Sequence, residues 1–328
     1  MTLEPRCRFA PTTSGPAHPG TLLAGLLCWL DARSHAAHLE LRLEDIDSTR
    51  CTPESARDLR AALEWFGLDW DGESLQSERS REHESALEKL ARRGVLYPCR
   101  CSRSDVARSG AGAGDDGHRY PGTCRDRALP RAGWRGCGEA LRLRLASGRI
   151  EPVDEGGLHL AQDPAAAMGD PVMKRKDGAV AYHLGVVVDD AEQGVTRIVR
   201  GSDLAASTAI HVVLQRLLGF PTPVYRHHLL LLEERGSKLA KLHGAVGWRE
   251  LREHYTPERL CGFLAWVSGL RATPVHATPR ELLPDFDWER VRREDQVLRW
   301  TGGELLHLGG RPAGNGWNPF SFAAVEQR

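Results

Sequence analysis

The 328-residue chain has no net charge, with 44 basic residues set against 44 acidic ones. An RNA partner would therefore have to be held by local basic patches and not by a global field. No apolar run reaches the ~18 residues needed to cross a bilayer. The opening MTLEPRCRFAP has no apolar signal segment. A cytoplasmic protein with no membrane partner is expected. No internal repeat is found, which sets aside solenoids and propellers. Cysteine is unevenly placed. Cys7, Cys28, Cys51, Cys137 and Cys261 are scattered, as reduced cytosolic thiols are, whereas Cys99, Cys101 and Cys124 are clustered.

What is present is the composition of an ordinary globular protein, 41% hydrophobic and 27% charged, with chain enough for about two domains. Residues 6–11 (RCRFAP) read as a short strand ending at Pro11, followed by a turn rich in Gly, Pro, Ser and Thr. Thr21 to His35 reads as a helix with apolar residues on one face, and 39–43 (LELRL) as a second strand. A strand, a glycine-bearing loop, a helix and a strand open an α/β fold with a Rossmann-like parallel sheet. Thr52 caps and Pro53 opens the next helix. Another runs from about Ser80 to Arg93 and stops at Gly94.

Between Val95 and Lys176 the rhythm breaks. Residues 108–118 (RSGAGAGDDGH) read as a mobile loop, 141–145 (LRLRL) alternate as a strand, and Asp177-Gly178 marks a tight hairpin turn. Strand signals return at 184–189 (LGVVVD), 195–200 and 224–232, with a helix from Ser207 to Leu218. Thr256-Pro257-Glu258 opens a late helix that runs through Leu270. The expected organisation is a catalytic sheet domain in two halves, 1–94 and 177–245, around an insertion at 95–176. A small, mostly helical region at 246–310 and a disordered tail at 311–328 complete it.

His18-Pro19-Gly20-Thr21 lies between the first strand and the first helix. A helix N-terminus there presents N–H groups to an anion. Gly20 leaves room for adenine or ribose against the backbone, and His18 can donate a hydrogen bond to phosphate. Lys238-Leu239-Ala240-Lys241 follows the apolar run HHLLLL. Its two lysines can reach one triphosphate and stabilise leaving pyrophosphate. Alone, each tetrapeptide reads more readily as an ordinary turn.

Their context is more specific. RFAPTTSGPAHPGTLLAG resembles the first signature of glutamyl- and glutaminyl-tRNA synthetases, RFAPSPTGxLHIGH, at Arg8, Phe9, Ala10, Pro11, Gly15, His18 and Gly20. KLAK resembles that family's KLSK lysine loop. LRLEDIDSTR (41–50), Gln76-Ser77-Glu78-Arg79 and YHLGVVVDDAEQGVTRIVRGSDL (182–204) resemble runs lying between the two signatures, in the same order. Thr13, Pro19, Thr21 and Ala240 depart from the pattern.

The resemblance implies activation of glutamate as an adenylate. His18, Lys238 and Lys241 would be catalytic, with Gly20 and Thr21 also on ATP and Mg²⁺ held mainly by the phosphates. The implied glutamate contacts are Arg8, Phe9, Ala10, Pro11, Thr12, Glu44, Tyr182 and Arg200. The residue types suit the task. Glu44, following the second strand, can hold an α-ammonium. Arg8 and Arg200 each end a strand on one sheet edge, where such sheets bind ligands. A guanidinium takes a carboxylate bidentately and favours it over a neutral amide. Asp189 and Asp190 read as structural residues closing a turn.

Cys99, Cys101 and Cys124 can close a tetrahedral zinc site if a fourth ligand is supplied; three free thiols are the alternative. By residue type His118 competes for the fourth place, whereas the resemblance, through the pattern C-x-C…Y-x3-C, implies Tyr120. The zinc would be structural. The stretch after Lys241 is shorter than the helical anticodon-binding domains of discriminating glutamyl-tRNA synthetases. The chain thus resembles the truncated branch, the glutamyl-queuosine tRNA(Asp) synthetases. That branch implies tRNA-independent formation of glutamyl-AMP and transfer of glutamate to queuosine in the tRNA(Asp) anticodon loop, by a monomer. Two rivals are weighed against it. One is a small-molecule nucleotidyltransferase with a similar His-x-Gly loop, which the 182–204 run and the cysteine cluster oppose. The other is a non-catalytic RNA-binding descendant, which Pro19, Thr21 and Ala240 favour.

Overall fold

The computed structural model describes residues 4–47, 49–110, 112–114, 117–234 and 246–311. Lys238, Lys241 and the tail from residue 312 lie outside the described residues, as do the expectations attached to them. The first half of the sheet domain comprises β1 (Arg6–Phe9), α1 (Pro19–Ser34), β2 (His38–Leu43), α2 (Pro53–Trp65), β3 (Gly72–Leu75) and α3 (Ser80–Arg92). Two of its helices begin where the sequence supplies a cap. The His18 ring accepts from the Gly20 N–H ahead of α1, and the Thr52 hydroxyl accepts from the Ser55 N–H ahead of α2. In both, proline occupies the first turn, where its missing N–H costs nothing.

An antiparallel three-stranded sheet follows, built from β4 (Leu96–Cys99), β5 (Ala140–Leu143) and β6 (Val172–Lys174). Past β6 the chain turns at Asp177-Gly178, with Gly178 at φ 95°, a conformation glycine adopts without strain. It then returns to the first sheet through α4 (Tyr182–Glu192), β7 (Arg197–Gly201), α5 (Thr208–Leu218) and β8 (Val224–His228). The finished sheet is parallel throughout, in the order β8-β7-β1-β2-β3.

The segment LGVVVD, expected as a strand, is the middle of α4. Consecutive valines favour extended backbone, and this helix has no polar face to mark its period, since every residue from Leu184 to Asp190 is buried. Packing on α3 and α5 overrides the local preference. The two acids at its end do not close a turn; they sit inside the helix and face inward. Asp189 lies 2.7 Å from His83 Nε2 and accepts from Gln76 Nε2 at 2.7 Å. Asp190 accepts from Arg8 Nε at 3.1 Å and from Arg42 Nη1 at 2.7 Å. A helix from the second half of the sequence is thereby tied to β1, β2 and α3 of the first.

The last part holds β9 (Leu231–Leu232), α6 (Trp248–His254), α7 (Pro257–Val267), β10 (Asp295–Trp300) and β11 (Leu305–Arg311). The region expected to be mostly helical begins so, and Leu251, Leu260 and Leu264 pack into the same apolar core as α1. It ends differently, in a hairpin whose first strand also pairs with β9. Val297, Leu298 and Leu305 bury against the body, but the two glycines of LLHLGGR obscure the strand pattern. Among the described residues no helix is long and apolar enough to cross a membrane.

The tie through Asp190 has a measurable consequence. Asp190→Ala leaves two guanidiniums buried without their shared anion and is expected to cost about 3–5 kcal/mol of folding stability. Urea denaturation checks it; a loss below about 1 kcal/mol would mean that water or other groups solvate Arg8 and Arg42.

Candidate functional site

From β1 the chain moves to β2 on one side of the sheet, and only later to β7 on the other. The carboxyl ends of strands part at such a reversal, leaving a crevice. A pocket of about 400 Å³ opens there. Arg8, Phe9, Ala10, Pro11 and Thr12 line it from the end of β1, and Glu44 from the end of β2. Arg200, Asp203 and Leu204 come from the end of β7, His228, Leu229 and Leu230 from the end of β8 and the link after it, and Leu231 from β9. His18, Gly20 and Thr21 enter from the start of α1, and Tyr182 from the start of α4. Every described residue expected to meet ATP or glutamate lines this one cavity.

The end of the pocket at the helix start is set by the cap of α1. His18 Nδ1 accepts from the Gly20 N–H at 3.1 Å, which places the proton of the neutral ring on Nε2. A Cβ at Gly20 would stand 3.0 Å from the His18 ring. The glycine therefore makes room first for the histidine, a reason distinct from the close approach of a base expected from sequence.

The acidic end is set by backbone pairing across β1 and β2. The Glu44 N–H donates to the Pro11 carbonyl at 3.1 Å, and the Thr13 N–H donates back to the Glu44 carbonyl at 3.3 Å. Burial raises the Glu44 carboxyl to about 7, although Arg42 and Arg8 pull it down. Arg42 Nη2 stands 3.6 Å from the Glu44 carboxylate. The site thus holds an acid that gains from a cationic ligand. Arg8 and Arg200 are both buried at the wall. Arg8 is paired with Asp190, while Arg200 is surrounded by Thr208, His211 and His227. Sequence reading passes over these three and over Asp154 behind His227. Their contacts are long in sequence and match no local pattern; the paired histidines of VYRHH are the one visible trace.

In the insertion, the sulfur atoms of Cys99, Cys101 and Cys124 lie within 4.8 Å of one another. The Cys101 and Cys124 sulfurs are 3.7 Å apart, near the ~3.8 Å edge of a tetrahedron with metal–sulfur bonds of ~2.3 Å. The Tyr120 hydroxyl stands 3.4 Å from the Cys99 sulfur and accepts from the Cys124 N–H at 2.8 Å. His118 is exposed and outside the cluster. The donor set fits a tetrahedral metal ion that prefers thiolates, with Tyr120 beside the fourth corner.

The description "tRNA synthetases class I (E and Q), catalytic domain" matches residues 4–267. The chain belongs to this family. As a class I synthetase of the E and Q type it is an ATP-dependent ligase. It is 43% identical over 303 residues to a protein of Symbiobacterium thermophilum named Glutamyl-Q tRNA(Asp) synthetase, covering 88% of this chain and 94% of that one. A protein of the same name from Nocardia farcinica is 41% identical, with 90% and 93% covered. Among solved structures, the glutamate–tRNA synthetase of Elizabethkingia anophelis shares the fold with a TM-score of 0.75 at 23% identity, over 92% of this chain and 69% of that one.

The capacity of this cysteine cluster to hold a metal ion is open to a direct test. Cobalt(II) added to the reduced, metal-free chain is expected to give the thiolate charge-transfer and ligand-field bands of a tetrahedral site. Cys101→Ser should weaken them and His118→Ala should leave them unchanged. Loss of the bands in His118→Ala would put the imidazole, and not Tyr120, at the fourth corner.

Proposed function

We propose that this synthetase activates glutamate with ATP in the absence of tRNA and then transfers it to queuosine at the wobble position of tRNA(Asp), as a cytoplasmic monomer. One observation carries the first half: Glu44, Arg8 and Arg200 meet in a single pocket that also contains the capped start of α1. An acid and two cations suit an amino acid with one ammonium and two carboxylates. The helix start and the His18 proton suit a polyphosphate.

In this reading a glutamate α-carboxylate oxygen attacks the α-phosphorus of ATP in line. The P–O bond to the leaving group breaks, giving glutamyl-AMP and pyrophosphate. Glu44 anchors the ammonium, Arg200 and Arg8 orient carboxylate, and Tyr182 offers a hydroxyl at the mouth. His18, with Lys238 and Lys241 of the lysine loop, stabilises charge on the phosphates. Mg²⁺ would supply further neutralisation there when bound with ATP. No enzyme nucleophile is required, so the chain contributes position and charge. In the second step a queuosine ring hydroxyl attacks the activated carbonyl carbon, AMP leaves, and an ester forms. The relatives named Glutamyl-Q tRNA(Asp) synthetase support this acceptor. Zinc, held by Cys99, Cys101, Cys124 and Tyr120, is proposed to pin the insertion without entering the chemistry.

Glutamate-dependent ATP–pyrophosphate exchange without tRNA tests the first step. Exchange is expected from the purified chain, and its absence at saturating glutamate would contradict the reading. Transfer of labelled glutamate to tRNA(Asp) with and without queuosine tests the second, with acceptance expected only in the modified tRNA. Glu44→Gln should lower kcat/KM for glutamate about 10- to 100-fold. The pH dependence has a definite sign. The ammonium pairs with the ionised form of Glu44, whose carboxyl is raised by burial to about 7. Affinity for glutamate should therefore fall as pH drops below that value, by up to about tenfold per unit. A KM flat between acid and neutral pH would remove Glu44 from the ammonium site.

A further inference from the structure

The two arginines of the pocket are held in opposite ways. Arg8 Nε donates to a carboxylate, so its charge is matched inside the protein. Among the described residues Arg200 makes no ion pair. Nε donates to His227 Nε2 at 3.0 Å, Nη1 lies 3.1 Å from His211 Nδ1, and Nη2 donates to Thr208 Oγ1 at 2.6 Å.

A guanidinium has donors only, which fixes the protons of both rings. His227 must offer the lone pair of Nε2, so its proton sits on Nδ1, 2.7 Å from Asp154 Oδ2. The same oxygen accepts the His227 backbone N–H at 2.9 Å. His211 must offer the lone pair of Nδ1, so its proton sits on Nε2, 3.2 Å from His183 Nδ1. Burial, and then the neighbouring Arg200 charge, push His211 well below its ordinary value. Burial likewise holds His227 at about 4, against the pull of Asp154. Neither ring takes a proton near neutrality, and neither turns a donor toward Arg200.

We propose that Asp154, His227 and His211 are positioning residues that orient Arg200 through neutral imidazole lone pairs, leaving its full charge for a carboxylate of the substrate. A carboxylate in the place of either ring would fix the guanidinium as firmly but would neutralise it. A substrate bearing a neutral amide then gains less than one bearing a carboxylate. Asp154 lies between β5 and β6, and it reaches the site by pairing with Tyr225 of β8. The insertion thus contributes to the amino-acid pocket as well as holding the cysteine cluster. The inference rests on the glutamate reading for its consequence, and on geometry alone for the tautomers.

The test has two arms. In the first, nuclear magnetic resonance of the full chain with ¹⁵N-labelled histidine near neutral pH reads the tautomers. The proton is expected on Nδ1 of His227 and on Nε2 of His211; the reverse assignment at either ring overturns the proposal. In the second, glutamate-dependent exchange compares His227→Leu, which removes the acceptor, with His227→Gln, which restores an oxygen near the place of Nε2. His227→Leu is expected to raise the KM for glutamate about 10- to 100-fold with the KM for ATP unchanged, and His227→Gln to recover most of that loss. Wild-type KM in His227→Leu, or equal loss of glutamate and ATP affinity in both variants, overturns it. A wild-type chain with the expected tautomers but no glutamate-dependent exchange would instead defeat the glutamate reading.

Discussion

The fold depends on one buried anion. Asp190, at the end of the buried run of α4, binds Arg8 of β1 and Arg42 of β2, and Arg42 in turn faces Glu44. These residues come from two stretches of sequence separated by the whole insertion, so this contact closes the sheet across that gap. Asp189 repeats the tie toward α3 through His83 and Gln76. Breaking such a pair by removing one partner is costly because the other charge stays buried. The same atoms that hold the halves together therefore fix the acid and one of the cations of the pocket.

Chemistry follows from how the charges are backed. Glu44 is desolvated and raised toward neutrality, so a cationic ligand restores its ionised state. Arg8 is balanced by Asp190 and serves shape as much as charge. Arg200 is ringed by neutral acceptors and keeps its charge for a ligand. An acid poised to gain a cation, across a pocket from a cation poised to gain an anion, is the environment of a zwitterion. Adenylation asks little more of a protein than this placement, because the phosphates carry their own leaving group.

Much of this was legible in the residues themselves. The strand–loop–helix opening at Arg6–Ser34, the caps at Thr52-Pro53, the turn at Asp177-Gly178 and the cysteine trio all carry local chemical marks. The residues expected to meet glutamate also converge on one cavity, because strand ends of a parallel sheet share an edge. What escaped reading is non-local. Val186–Val188 speak for a strand until packing on α3 and α5 is known. The β10–β11 hairpin hides behind glycines. Asp154 and His227 are distant in sequence, and only the pairing of Asp154 with Tyr225 on β8 brings them together.

The central claim is that one pocket reads an acidic amino acid by complementary charge. A crystal structure with a non-hydrolysable glutamyl-adenylate analogue tests it most directly. The account predicts the ammonium within hydrogen-bonding distance of the Glu44 carboxylate, a glutamate carboxylate on the Arg200 guanidinium, and the phosphate beside His18. An analogue bound with its ammonium away from Glu44, or with Arg200 turned from the ligand, would contradict it.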